Sequence, residues 1–204
     1  IVTVVPEAGE IKPNLENDLY VVVATPDGDP VRGAAVRVVP PIGIASSVPL
    51  PRVGKTDEAG VCLARVEPLG PSHFLPEGQA RFRVEVRDPA GHTLVRQVGL
   101  SAGQGEHALL LRADRALAKV GESVEFTVIS TKQKGTTYID VIRDNQTILT
   151  QAVELSGGRS QFALPLSHDL QGTLEVHAYQ ILPDENIIRD TRRIYVAPAG
   201  DLVV

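Results

Sequence analysis

The chain has 204 residues, of which 43% are apolar, 4% aromatic and 22% charged, with no Trp, no Met, one Cys and a formal net charge of −5. That length holds one or two domains able to bury a core, and with so few aromatics Val, Ile and Leu must fill it, which favours sheets. The basic residues are scattered along the chain, so no electrostatic nucleic-acid surface is expected. No apolar run reaches the roughly 18 residues of a membrane helix, and a single cysteine forbids an internal disulfide.

Taken in order, Ile1 to Val5 is a short apolar run and Leu19 to Ala24 a buried strand. Pro26-Asp27-Gly28-Asp29-Pro30 supplies turn chemistry, with Pro at a corner and Gly where φ can be positive. Val31 to Val39 is read as the next strand, and the Pro-, Gly- and Ser-rich stretch Pro40 to Pro51 as a loop. Lys55 to Gly60 is a turn, Val61 to Val66 a strand, and Glu67 to Gly78 a loop. Ala80 to Val86 and Thr93 to Leu100 alternate apolar and polar residues around Asp88-Pro89-Ala90-Gly91, the pattern of a hairpin.

A second series begins at Leu109. Val120 to Ser123 is a turn, followed by a strand through Val124, Phe126 and Val128. Thr137 to Ile142 and Thr147 to Leu155 flank a turn at Arg143 to Gln146, and Ser156 to Arg159 turns into a strand over Ser160 to Leu166. Gly172 to Val196 closes the chain as a hairpin: Leu174, Val176 and Ala178 alternate with Glu175, His177 and Tyr179, and Pro183 to Asn186 forms the turn. About thirteen short strands with turns every 8–12 residues or so predict an all-β chain. The expected architecture is two tandem antiparallel β-sandwiches of the immunoglobulin/fibronectin kind, residues 1–107 and 108–204.

The residues offer no constellation for chemistry. Cys62, between Val61 and Leu63, reads as a small buried hydrophobe, since no cation adjoins it to lower its pKa. His73, His92, His107, His168 and His177 have neither mutual spacing nor a cysteine partner for zinc. Asp27/Asp29, Asp57/Glu58 and Asp184/Glu185 could in principle ligate calcium through oxygens, but turn chemistry accounts for each. There is no Gly-x-Ser-x-Gly elbow, and Gly103-Gln104-Gly105 lacks the spacing of a phosphate cradle. Catalytic, cofactor-binding and metal residues are therefore expected to number none, and the chain is expected not to be an enzyme. Asn145-Gln146-Thr147 matches the N-glycosylation pattern in an exposed turn. Strand-like sequence at both ends suggests a piece of a longer protein.

The order of motifs resembles the α2-macroglobulin and complement thioester-protein family. In the second half the resemblance rests on Leu110-x-Arg112-x-Asp114-Arg115, Val120-Gly121-Glu122-Ser123-Val124, Thr137-Tyr138-Ile139-Asp140-Val141, His177-Ala178-Tyr179, Leu182-Pro183-Asp184 and Ile188-Arg189-Asp190-Thr191. In the first half it rests on Leu19-Tyr20-Val21-Val22-Val23, the Pro26 to Val31 turn and Thr56-Asp57-Glu58-Ala59-Gly60. By position the halves look like the fourth and fifth macroglobulin-like domains, with Leu202-Val203-Val204 entering the next.

The family traps proteases: a bait is cut, the ring of domains rearranges, and a thioester captures the attacker. This sequence has no Gly-Cys-Gly-Glu-Gln motif, and Pro40 to Pro51 is too short and stiff for a bait. The resemblance thus implies non-catalytic scaffold domains of a secreted, extracellular or bacterial periplasmic and cell-envelope inhibitor. Their partners would be neighbouring domains, with proteases as targets of the full-length protein, and no nucleic acid, membrane or cofactor. The alternative is an Ig-like structural or adhesion spacer of a surface protein.

Overall fold

Where apolar and polar residues alternate, the chain is extended, and where Gly, Pro, Asn or Asp interrupt the alternation it turns. The computed structural model describes residues 1–42 and 51–198 and divides into two units, Ile1–Glu106 and His107–Val204. Among the described residues there is no α-helix; single 3-10 turns occur at Pro71–His73 and His168–Leu170.

The first unit contains β1 (Val2–Pro6), β2 (Asn17–Val23), β3 (Ala35–Val39), β4 (Arg52–Lys55), β5 (Val61–Val66), β6 (Gln79–Arg87) and β7 (Thr93–Ser101). They form a three-stranded sheet, β1-β2-β5, and a four-stranded sheet, β4-β3-β6-β7, with every neighbour antiparallel. The inward residues of both sheets, among them Leu19, Val21, Val36, Phe82 and Val84, make one core. The alternation in β6 is complete: Ala80, Phe82, Val84 and Val86 are buried, and the residues between them face out.

Two expectations in this unit change. The strand expected over Val31 to Val39 begins only at Ala35. Gly33 takes φ 73°, and the Thr56 hydroxyl donates to the Val31 carbonyl (2.6 Å) while accepting from the Ala34 N–H (2.9 Å), holding the preceding residues in a turn. Strand β4 was hidden in the sequence because Arg-Val-Gly-Lys has little β-forming character. It exists because it pairs with β3, and Gly54 is required there: a Cβ would lie 2.6 Å from the Cys62 sulfur. Residues 43–50, most of the loop considered as a bait, lie outside the described residues.

The second unit contains β8 (Leu109–Ala113), β9 (Leu117–Lys119), β10 (Ser123–Ser130), β11 (Lys134–Arg143), β12 (Gln146–Ser156), β13 (Arg159–Pro165), β14 (Gly172–Ile181) and β15 (Ile187–Ala197). Their order is β8-β10-β13-β12-β11-β14-β15-β9. Strands β12 and β13 pair only through Ser156 and Arg159, across Gly157 and Gly158 at φ 62° and 76°. The ladder therefore folds over at that corner into layers β8-β10-β13 and β12-β11-β14-β15-β9, whose inner faces share a core. The β11–β12 turn places Asp144 and Asn145 at φ 51° and 62°, the two left-handed positions a tight hairpin demands, and Asp and Asn tolerate them. Strand β9, three residues added parallel to β15, was not legible in the sequence.

By position the two units have the same plan: first, second and fifth strands in one layer, fourth, third, sixth and seventh in the other, with β9 an addition in the second unit. Both are all-β sandwiches of the immunoglobulin/fibronectin kind, antiparallel apart from the short parallel β9.

One cross-strand pair is central to the second core. Phe126 and Phe162 are register partners on β10 and β13, with ring centroids 5.0 Å apart and planes within 8°. Phe126→Ala is expected to cost about 3–5 kcal/mol. The check is urea denaturation followed by hydrogen exchange of amides in β10 and β13; an unchanged midpoint would contradict this packing.

Candidate functional site

The terminal hairpin β14–β15 gathers the polar side chains that the sequence set apart. Its ladder runs from Gly172 opposite Val196 to Ile181 opposite Ile187. Leu174, Val176 and Ala178 are buried, while Glu175, His177 and Tyr179 lie half-buried on the other face, as the alternation predicts. The turn holds Glu185 at φ 66°, and the Asp184 carboxylate accepts from the Asn186 amide (2.8 Å), which lowers the pKa of Asp184.

On the outer face, pairing of β11, β14 and β15 sets Asp140 beside His177, Tyr138 beside Tyr179 and Glu175 beside Arg193. The two tyrosine rings stack at 5.5 Å. Glu175 receives Arg193 Nε at 2.8 Å, and His177 Nε2 lies 3.3 Å from its other oxygen. These two contacts, Arg193 first, hold the Glu175 carboxyl below the ordinary glutamate range. Partial burial and then the Asp140 carboxylate push the Tyr179 phenol up. Acid, base and phenol are thus neighbours, but on an open sheet face. General acid–base work needs a substrate held within hydrogen-bond reach, and the described clefts in the first unit do not include these residues.

Asp190, beyond the hairpin turn, takes the inner face: it is a register partner of Ala178 and only 7% exposed. Its Oδ2 accepts the Leu111 N–H at 2.9 Å and lies 3.0 Å from the Arg192 guanidinium. It therefore ties β15 to the first strand of the opposite layer. Gln180, also inward, accepts from the Ser130 hydroxyl (2.7 Å), which in turn accepts from the Lys132 N–H. In the first unit the buried Asp18 receives Arg65 at 2.6 and 2.8 Å in a two-pronged pair that raises the arginine pKa. These three buried polar groups were missed because polarity argues for the outer face even where, as at Gln180, the alternation of Leu174, Val176 and Ala178 runs inward.

The remaining sequence candidates stay dispersed. Cys62 is buried, and burial followed by the Asp57 charge raises its thiol pKa. Asp57 accepts the Ala59 and Val61 N–H groups, both at 2.9 Å, Glu58 pairs with Arg32, and Asp29 closes its turn through Thr25. His92 bonds Asp88 at 2.8 Å, which lowers the pKa of the aspartate. A cleft of about 380 Å³ in the first unit is lined by Val39, Pro41, His73, Leu75 and Phe82 and contains no carboxylate or thiol. Among the described residues no three His, Cys, Asp or Glu side chains converge on a common point that could hold a metal, and no helix is long and apolar enough to cross a membrane.

Residues 109–204 match the family model of the alpha-2-macroglobulin bait region domain, a span lying within the second unit. The match supports the alpha-2-macroglobulin family for that unit. No curated protein matches the chain. Among solved structures it is similar to native Escherichia coli alpha-2-macroglobulin, at 11% identity and TM-score 0.40, covering 97% of this chain and 16% of that one. It is likewise similar to Salmonella alpha-2-macroglobulin reacted with methylamine, at 11% identity and TM-score 0.42, over 97% and 16%. The chain spans about a sixth of the length of these two proteins. Fibronectin(III)-like modules of Clostridium thermocellum CbhA are similar at 13% identity and TM-score 0.33, over 96% of this chain and 95% of theirs.

Two outcomes follow from the polar contacts. Asp190→Ala removes one partner of a buried ion pair and should destabilise the second unit by about 3–5 kcal/mol; a thermal midpoint equal to that of the parent chain would show that Asp190 does not join the layers. The Glu175 carboxyl carbon, followed by NMR, should titrate below ordinary glutamate, and Arg193→Ala should move its midpoint up. Because the folded pKa is the lower one, this contribution to stability is full above the unfolded pKa and is lost as pH falls through the folded value. An unmoved midpoint in the variant would remove Arg193 as the cause.

Proposed function

We propose that the chain is two consecutive non-catalytic scaffold domains of an alpha-2-macroglobulin-like protease inhibitor. The full-length parent would be an endopeptidase inhibitor that traps proteases by conformational change. The observation that carries the reading is the match of residues 109–204 to the bait region domain family.

The geometry of the second unit is consistent with scaffold rather than bait. Among its described residues the longest connection between strands is the segment between Pro165 and Gly172, which includes the 3-10 turn His168–Leu170. A protease needs an extended, accessible segment, and short turns closed by hydrogen bonds do not offer one. Both units are sandwiches, each with its own hydrophobic core, able to move as bodies while a bait elsewhere is cut. In this reading they are the fourth and fifth macroglobulin-like domains. Their partners are neighbouring domains of the parent. Proteases are met by the whole protein, in the extracellular space or the bacterial periplasm and envelope.

The test compares the 204-residue chain with its full-length parent, each incubated with trypsin and then assayed on a large protein substrate and on a small chromogenic one. The parent should suppress cleavage of the large substrate and spare the small one, as an enclosing trap does, while the isolated chain should suppress neither. Inhibition by the isolated chain would overturn the scaffold role. A parent that suppresses nothing would leave the Ig-like adhesion spacer as the reading.

A further inference from the structure

Sheet formation in the first unit gathers charge that the sequence scatters. Arg37, Lys55, Arg81, Arg83 and Arg87 come from three strands, yet all take the outward positions of the four-stranded sheet. The registers place Ala35 between Lys55 and Arg87, and Arg37 beside Glu85. Glu85 is the sole acid in these four strands, and it contacts Arg37 at 3.2 Å and Arg83 at 3.0 Å. Among the described residues Lys55, Arg81 and Arg87 have no ion-pair partner, and all five cations are exposed. A protein of net charge −5 thus carries one distinctly basic face. The expectation of scattered basic residues holds along the chain and fails on the surface.

This face ends in an open strand edge. Asp88 N–H donates to the His92 carbonyl (3.0 Å) and Ala102 N–H to the Gly78 carbonyl (2.8 Å), so the even-numbered residues of β7 carry the bonds to β6. Thr93, Val95, Gln97 and Gly99 therefore turn their N–H and C=O groups away from the sheet, and no described residue bonds them. At the far end the chain itself starts such a pairing: the Ile11 N–H donates to the Ser101 carbonyl (2.7 Å) and the Ile11 carbonyl accepts from the Gly103 N–H (2.9 Å), a single parallel bridge that goes no further. In the second unit β9 does the same to β15 over three residues.

We propose that β7 and the adjoining basic face form a docking surface for an acidic polypeptide segment that adds to the sheet as a strand. Free backbone groups recognise a polypeptide backbone, and pockets or charges at alternate positions choose its side chains. The residues of β7 that face out stand between the incoming strand and the cations: Thr93 before Arg87, Gln97 before Arg83, and Gly99, with no side chain to intervene, before Arg81. Two strand spacings are about 10 Å, which an arginine and a glutamate span together. Val95, 49% exposed and opposite Glu85, sits where an apolar residue fits and an acid is repelled. The segment recognised carries acids level with Thr93, Gln97 and Gly99 and an apolar side chain level with Val95.

The test uses the 204-residue chain and a fluorescein-labelled peptide of alternating glutamate and threonine, with one valine at the central outward position, followed by anisotropy. Saturable binding is expected, weakened about tenfold or more by an Arg81→Glu/Arg87→Glu double variant and by half-molar salt. Backbone N-methylation of the same peptide should abolish it, and the amides of Thr93, Val95, Gln97 and Gly99 should gain exchange protection in the complex. Four results would overturn the proposal: no binding, affinity unchanged in the double variant, equal affinity for the N-methylated peptide, or an oligodeoxynucleotide of matching charge binding as tightly.

Discussion

Each unit is closed by burial of one face of one sheet against one face of the other, and the material for that contact is almost wholly aliphatic. In the first unit Leu19, Val21, Val36, Val38 and Val84 share one core with Phe82; in the second, Leu111, Val128, Ile139, Val176 and Ile194 share one with the Phe126–Phe162 pair. With no disulfide and no metal cluster among the described residues, hydrophobic burial between the layers is what holds strands distant in sequence in their registers. A slip of one residue in any strand would turn its apolar set to water. This single constraint accounts for the alternation visible in β6 and β14.

Several of the buried polar groups join strands or pin turns. Asp190 reaches the backbone of Leu111 from the opposite sheet, Thr56 pins the turn before β3, and Gln180 and Ser130 satisfy one another. Each makes a hydrogen bond that would otherwise leave a buried donor or acceptor unpaired. Such groups add direction to a core that is otherwise shape-tolerant, since aliphatic packing alone does not specify which residue of β8 lies over which residue of β15.

Because the inner faces are committed to packing, chemistry is confined to the outer faces and the turns. The outer face of the hairpin β14–β15 carries acid, base and phenol, but as a flat row in which Glu175 and Arg193 neutralise each other. The outer face of the four-stranded sheet has the opposite character, since five cations meet one acid and no described residue pairs with the neighbouring edge. The division of labour is physical: interiors give rigidity, and exposed faces and edges are left for contacts.

By itself the sequence determined the fold class, most of the strands and the faces they turn inward, because period two is a local property readable from neighbours such as Val84, Glu85 and Val86. It also identified the turns, because Gly, Asn and Asp tolerate backbone angles that most residues avoid, as at Gly157 and Asn145. Only tertiary structure decided the rest. β4 and β9 are strands because β3 and β15 offer them partners, not because Arg-Val-Gly-Lys or Leu-Ala-Lys prefers extension. Asp190 is buried because its place in the β15 ladder sets it opposite Ala178. The cations at 37, 55, 81, 83 and 87 become one surface because strand registers, which depend on contacts between residues far apart in the chain, bring them to the same side of one sheet.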